Sequence, residues 1–375
     1  MVSASVRLRL IVPGNIRHNS GGNVYNAALA RGLTALGAAV ETCPLDGGWP
    51  GGSAEDRRRL ARLLRAAPRG SVTLVDSLIA SGAPEEMEAA AAAGHPAWIL
   101  LHMPLPDLER EGRAMAAAAG VICTSGSAAA RIRARHGLEN IGVALPGTAS
   151  APLAAGSLAA GSGGPRFIAV AALFPNKDQA LLLDALAQLT NLPWTASLIG
   201  SDTADPDYAA QLRDSVERLG LAGRVSIPGE LRGGALESEW SAADLSLLIS
   251  RAEAYGLVVI ESLARGLPVV VREGTGAVEA LAAGTDGAAA PLDAAPLPGA
   301  AVGLGTDPAP LADLLRRWLT DAALRARWQD AARAARGRLP GWDATARTVL
   351  EIIGAHGRPN WQARVDTADG EAVGE

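Results

Sequence analysis

The sequence predicts an α/β protein made of two doubly wound parallel-sheet domains. Three observations carry that reading. The chain has 375 residues, more than one hydrophobic core usually supports, and 49% of them are hydrophobic, enough for two cores. Short apolar runs alternate with amphipathic segments, the pattern of repeated βα units. Aromatic residues are only 3% of the chain, so alanine, leucine, valine and glycine do the packing, as in parallel strands buried on both faces.

Taken in order, Val6 to Val12 reads as a strand, Gly21-Gly22 as a turn, Val24 to Leu36 as a helix stopped by Gly37, and Ala38 to Thr42 as a second strand. Ser71 to Val75, Ala97 to Leu101, Gly120 to Thr124 and Ile141 to Ala144 continue the series, so residues 1–150 form the first domain. Residues 151–165 are dominated by Ala, Gly, Ser and Pro and read as a linker. A second series starts at Phe167 and runs through Ala196 to Ile199, Val225 to Ile227, Leu245 to Leu248 and Val269 to Val271, which places the second domain at 166–339. Residues 358–375 read as a loose tail apart from Trp361.

Composition excludes several classes of protein. A net charge of −5 argues against nucleic acid as the main partner. Cys43 and Cys123 are too few for a disulfide framework and fit a reducing compartment. No apolar run approaches the ~18 residues of a membrane span, and Leu8 to Val12 is too short for a signal-peptide core. These features predict a cytoplasmic protein.

The stretch richest in chemistry is Ser250-Arg251-Ala-Glu253-Ala-Tyr255-Gly256-Leu257-Val-Val-Ile-Glu261-Ser-Leu-Ala-Arg-Gly266-Leu-Pro268-Val-Val-Val271. Gly256 supplies a tight turn, and a helix starting near Leu257 would present free N–H groups to an anion. Gly266 caps that helix and Pro268 restarts the chain as a buried strand. Glu253 therefore precedes the helix N-terminus and Glu261 lies inside the helix.

This segment resembles the Glu-x7-Glu signature of the retaining nucleotide-sugar glycosyltransferases of family 4. Their fold is GT-B, two Rossmann-like domains facing across a cleft. Upstream, Leu198-Ile-Gly200, Tyr208, a helical Gln211 to Leu219, Gly223-Arg-Val225, Gly229 and Ala243-Asp244-Leu follow the order of such C-terminal domains. Downstream, Gly274-Thr-Gly276-Ala-Val-Glu279-Ala-Leu281 looks like the family's glycine loop and helix start. The resemblance covers Phe167 to Leu281 and is thinner before it. It implies that a late helix, Trp342 to Ile353 within residues 340–357, crosses back onto the first domain.

Glu261 shares the apolar side of its helix with Leu257, Ile260 and Ala264, where a carboxylate needs a partner. Vicinal ribose hydroxyls would serve, because an ionised carboxylate only accepts hydrogen bonds. Lys177, the only lysine among 34 basic residues, follows the strand Phe167 to Val170 and a proline turn. At a helix start it can meet a diphosphate as a compact charge. The family has an arginine five residues before this lysine, where the chain has Ala172, so Arg251 or another arginine is expected to supply the missing charge. The donor-binding set is then Lys177, Arg251, Tyr255, Gly256, Leu257, Glu261 and Gly22.

In α/β sheets ligands collect beyond the carboxyl ends of strands. Gly21, Gly22 and Asn23 lie after the first strand's loop, with Asn15 and Asn19 nearby, and are assigned to the acceptor side and to the donor phosphates. His102 follows the strand Trp98 to Leu101. In similar enzymes a histidine at this point lies near the transferred sugar, so His102 joins Glu253 as a catalytic candidate. Asp205-Pro-Asp207 has the form of a metal-binding pair, yet its place before a helix reads as capping. Arg57, Arg58, Arg59, Arg62 and Arg65 share a helix, a basic face open to weak peripheral membrane contact or simply to solvent.

The resemblance implies a metal-independent hexosyl transferase that moves a sugar from a nucleoside diphosphate donor to a small-molecule, glycan or lipid acceptor with retention, needing no cofactor. Two other classes stay open. Ala172 favours a non-catalytic nucleotide-sugar binding protein. A nicotinamide-dependent oxidoreductase would share the sheets, but Gly14 and Gly21-Gly22 lack Gly-x-Gly-x-x-Gly spacing.

Overall fold

A computed structural model describes residues 6–15, 20–159, 161, 163–285 and 297–356. The chain divides into two compact units. The first holds the opening strand, residues 21–147 and the chain from 340 on; the second holds residues 148–339.

The first unit has six strands: β1 (Arg7–Pro13), β2 (Ala39–Leu45), β3 (Ser71–Asp76), β4 (Trp98–Leu101), β5 (Gly120–Cys123) and β6 (Ile141–Val143). They form one sheet in the order β2-β1-β3-β4-β5-β6, every neighbouring pair parallel. The connecting helices are α1 (Gly21–Ala35), α2 (Ala54–Arg65), α3 (Ser77–Gly82), α4 (Pro84–Ala92), α5 (Leu108–Ala116) and α6 (Gly126–His136). The period-2 alternation of strands sorts side chains to two faces. Leu8, Leu10, Leu74 and Leu100 pack against Tyr25, Leu29 and Leu33 of α1. Ile11, Val75, Ile99 and Leu101 pack on the other face against Leu60, Ile79, Met87 and Ile132. Ala346, Val349 and Ile353 belong to the first of these layers.

The second unit repeats the design. Strands β7 (Arg166–Val170), β8 (Thr195–Ile199), β9 (Val225–Gly229), β10 (Leu245–Leu248), β11 (Val269–Arg272) and β12 (Gly299–Val302) form a parallel sheet in the order β12-β11-β10-β7-β8-β9. Its helices are α7 (Gln179–Ala187), α8 (Pro206–Arg218), α9 (Gly233–Ser241), α10 (Leu257–Ala264), α11 (Ala277–Ala282), α12 (Ala309–Thr320) and α13 (Ala322–Arg336). The core joins Phe167, Leu198, Leu247 and Val270 of the sheet to Leu182, Leu186 and Trp318. A final helix, α14 (Trp342–His356), completes the first unit.

One expectation is corrected, and one strand was missed. Gly21 and Gly22 are not a turn; they open α1, where first-turn N–H groups need no intrahelical acceptor. Within 151–165, described backbone is hydrogen-bonded to the second unit: Ala154 N–H donates to Arg265 O at 3.0 Å, Gly156 N–H to Ser241 O at 2.9 Å and Ser157 N–H to Asp244 Oδ1 at 3.1 Å. Small residues let that backbone lie close against the second unit. Strand β12 was missed because Gly299-Ala-Ala-Val302 has no bulky run. The expected loose tail with Trp361 lies outside the described residues.

Candidate active site

In the second unit the chain moves outward from β7 to β9, then returns to β10 on the other side of β7. The loops after β7 and β10 thus diverge, which opens the crevice where such sheets bind ligands. Asn176 joins the two loops. Its carbonyl accepts from Arg251 N–H at 2.8 Å, its Oδ1 accepts from Ala252 N–H at 3.1 Å, and its Nδ2 donates to Ala252 O at 3.0 Å.

That strap brings the expected residues together. Lys177, ending a 3-10 turn over Pro175–Lys177, forms an ion pair with Glu253; their side chains are 24% and 10% exposed. Asp178 follows in the left-handed region at φ 55 with its carboxylate buried. It accepts from Arg251 Nη2 at 2.8 Å and from Arg272, whose other nitrogens donate to Ile249 O at 2.9 Å and Leu304 O at 2.8 Å. The hydrogen bond to Asp178 raises the Arg251 guanidinium above its ordinary value, and its side chain stays 62% exposed. Ala172 contributes only its carbonyl, which accepts from Gln179 Nε2 at 3.0 Å.

Gly256 stands at φ 89, a conformation that a side chain would strain, and α10 begins at the next residue, Leu257. Gly276 N–H donates to Glu253 O at 2.9 Å, and a Cβ on Gly276 would overlap the Ala254 carbonyl. The glycine loop therefore supports the turn that carries Glu253. Among the described residues the buried Tyr255 hydroxyl has no hydrogen-bond partner. Glu261 is half-buried on α10, and burial pushes its carboxyl up against the opposite pull of Arg265. Arg265 does not neutralise it. Its guanidinium donates to the Glu261 carbonyl at 2.9 Å and to Glu237 at 2.8 Å, over the Trp240 ring at 5.0 Å.

In the first unit β1 and β3 are the adjacent strands where the order reverses, and their loops lead to Gly21 and to Asp76. Gly22 lies against the His102 ring: a Cβ there would stand 3.2 Å from His102 Cδ2. His102 Nε2 is 2.9 Å from Asn26 Oδ1 and 3.4 Å from Asp76 Oδ2, and Asn26 Nδ2 donates to Asp76 Oδ2 at 2.8 Å. Burial works to raise the Asp76 carboxyl, but His102, Asn26 and Leu78 N–H outweigh it and hold the group below its ordinary value. Asn23 is in the first turn of α1, beside Gly21. Asn15 donates to Gly47 O at 3.1 Å, and Asn19 lies outside the described residues.

Asn176, Asp178, Arg272, Asn26 and Asp76 were missed. Two flank Lys177 in sequence, and Asp76 ends an otherwise apolar strand, a signal that could have been read. Asp205 Oδ1 accepts from Tyr208 N–H at 3.0 Å and caps α8. Among the described residues no cluster of three metal-ligating side chains occurs. Four of the five arginines of α2 pair with nearby acids: Arg58 and Arg62 with Glu55 at 3.2 and 3.4 Å, Arg57 with Glu85 at 4.0 Å, and Arg59 with Asp56. No described helix is long and apolar enough to cross a membrane.

Residues 155–335 match the family model for Glycosyl transferases group 1. The second unit carries a Glycosyl transferases group 1 domain. That domain includes Lys177, Arg251, Glu253, Tyr255, Gly256 and Glu261. A D-inositol 3-phosphate glycosyltransferase of Kineococcus radiotolerans is 34% identical over 196 residues, 48% of this chain and 41% of that protein. Mannosylfructose-phosphate synthase of Agrobacterium fabrum is 34% identical over 110 residues, 28% of this chain and 24% of that protein. The match thus spans less than half the length of these relatives. Among solved structures, sucrose-phosphate synthase of Thermosynechococcus elongatus superposes at TM-score 0.72 with 20% identity, over 93% of this chain and 98% of that one. Anabaena Alr3699/HepE in complex with UDP and glucose gives 0.71 and 19%, over 93% and 100%. The two six-stranded parallel sheets with flanking helices are the GT-B fold.

Proposed function

We propose that the protein is a retaining glycosyltransferase of family 4 that moves a sugar from a nucleoside diphosphate donor to an acceptor without a metal ion. The observation that carries this reading is the meeting of Lys177, Arg251 and Glu253 at the topological switch point of the Glycosyl transferases group 1 domain. Lys177 and the exposed part of Arg251 balance the diphosphate, with the N–H groups of Leu257 and the following turn beside them. Positive charge and aligned dipoles there stabilise the charge that develops as the sugar leaves. Glu261 accepts hydrogen bonds from the ribose. Glu253 orients hydroxyls of the transferred sugar. In the first unit His102, packed against Gly22, is a sugar-side residue, and Gly21 and Asn23 of α1 are assigned to the acceptor. Structural neighbours solved with UDP support a nucleoside diphosphate as the donor's leaving group.

Thermal unfolding with UDP, GDP, ADP and NAD, each in the presence of a chelator, tests this. A ligand bound only by the folded state at a hundredfold excess over Kd adds about 2.7 kcal/mol. One of the diphosphates is expected to raise Tm. Protection by NAD alone would point to an oxidoreductase, and protection only on adding divalent metal would reject metal independence. Ala172 favours donor binding without turnover; sugar release from the bound donor decides against that second reading. The curated relatives are named for D-inositol 3-phosphate and mannosylfructose-phosphate, so a phosphorylated polyol or sugar heads the acceptor panel.

A further inference from the structure

Asn26 lies one helical turn after Gly22 on α1, and Asp76 ends β3; both side chains are buried beside His102. We propose that Asn26 and Asp76 are positioning residues that hold His102 with a hydrogen on Nε2 and present Nδ1 as its reactive nitrogen. The value of this arrangement to transfer rests on the reading of His102 as a sugar-side residue.

The order of donors and acceptors fixes the direction. An ionised carboxylate only accepts. Asp76 Oδ1 takes Leu78 N–H at 2.9 Å and Oδ2 takes Asn26 Nδ2 at 2.8 Å. The carboxamide is thereby turned so that its oxygen, which also only accepts, stands 2.9 Å from His102 Nε2. Nε2 must then carry a hydrogen in either charge state of the ring, and Asp76 Oδ2 at 3.4 Å favours the same hydrogen. A flipped ring would set a carbon against Asn26 Oδ1 and forfeit that bond. The edge-on ring of Tyr25, with centroids 5.3 Å apart at 69°, and the backbone at Gly22 pack the remaining sides. Tyr25 is itself anchored, its hydroxyl donating to Ala144 O at 2.9 Å. Nδ1 has no hydrogen-bond partner among the described residues, and the side chain keeps 16% exposure. When the ring is neutral Nδ1 accepts a hydroxyl hydrogen; when it is charged Nδ1 donates to oxygen.

Proton–nitrogen correlation spectra of the ligand-free protein, labelled at its histidine rings, test this independently of any transfer activity. The chain has five histidines, and His102→Gln assigns the His102 signals by their loss. The expected result is a solvent-protected ring N–H on Nε2 of His102 and, in the neutral ring, an unprotonated Nδ1. Asn26→Leu should abolish that protection with the cooperative unfolding transition retained. If Asn26→Leu does not fold, Asp76→Asn frees the carboxamide to rotate and should broaden or remove the same signal. A protected hydrogen on Nδ1, an Nε2–H that exchanges as fast as a surface histidine's, or protection that survives whichever variant folds overturns the proposal. Failure of the nucleotide to bind would remove the transfer reading and leave these spectra unchanged.

Discussion

Replacing Glu261 by glutamine tests the ribose assignment through two readouts of opposite sign. In the empty protein burial holds the Glu261 carboxyl above its ordinary 4.5, and no described side chain donates to it. An acid whose folded value is raised contributes stability below its unfolded value and loses it as pH rises through the folded one. At neutral pH the ionised carboxylate therefore burdens the empty fold. Glutamine keeps the shape and removes the charge, so Glu261→Gln should melt higher than the parent at pH 7, with the gap closing as pH falls toward 4.5. Binding runs the other way. Each hydrogen bond to a charged acceptor is worth roughly 1.5–3 kcal/mol, and glutamine turns an N–H₂ toward one of the two ribose hydroxyls. Loss of one such bond predicts about ten- to a hundredfold weaker diphosphate binding by calorimetry. The 2′-deoxy diphosphate sharpens the test, since its penalty should be large in the parent and small in the variant. Equal affinities in the two proteins, or an undiminished deoxy penalty in the variant, would refute the ribose role.

Three further outcomes are expected. Lys177→Ala should weaken diphosphate binding by roughly 1.5–3 kcal/mol in the same titration, whereas unchanged affinity in a folded variant would reduce Lys177 to the counter-ion of Glu253. Glu253→Gln frees the Lys177 ammonium, so the bare diphosphate should bind at least as tightly while sugar transfer falls; parallel losses of both would reject the division of labour between the glutamates. Asp76→Asn should lower stability at neutral pH, measured by denaturant unfolding. Because the Asp76 carboxyl is held below its ordinary 3.8, its contribution is present above that value and lost as pH falls through the lower folded value, and a gap that widens on acidification would contradict the assignment.

The sheets were legible because their strands are continuous apolar runs, and the candidate loop was legible because Glu253, Gly256 and Glu261 lie close together in sequence. The connections among site residues were not. Lys177 and Glu253 are 76 positions apart, as are Asn176 and Ala252, and no local pattern announces which acid a lone lysine will meet. Arg251 was named as a candidate cation, but its partner Asp178, which also pairs with Arg272, came only with the fold. On the other sheet His102 was visible at a strand end, while Asn26 is a single buried polar position on α1 with no local pattern to mark it. The small residues of 151–165 read as a linker from composition, which does not report whether backbone N–H groups such as those of Ala154 and Gly156 find acceptors. Strand β12 was lost for a related reason, since alanine and glycine fit a strand only where the neighbouring strand leaves little room.

The two sequence-distant pieces of the first unit also set the order in which the chain can fold during synthesis. Its sheet is complete at β6, yet α14, which covers Leu8, Leu29 and Leu33 with Ala346, Val349 and Ile353, follows only after residues 148–339. At ~5–20 residues per second the ribosome needs roughly 10–40 s for that interval. Throughout it the apolar surface that α14 will cover waits in water while the strands of the second unit are still being made. The half that is translated first is therefore the half that closes last, and the interval before α14 emerges is when the nascent chain most exposes apolar surface to chaperones or to aggregation.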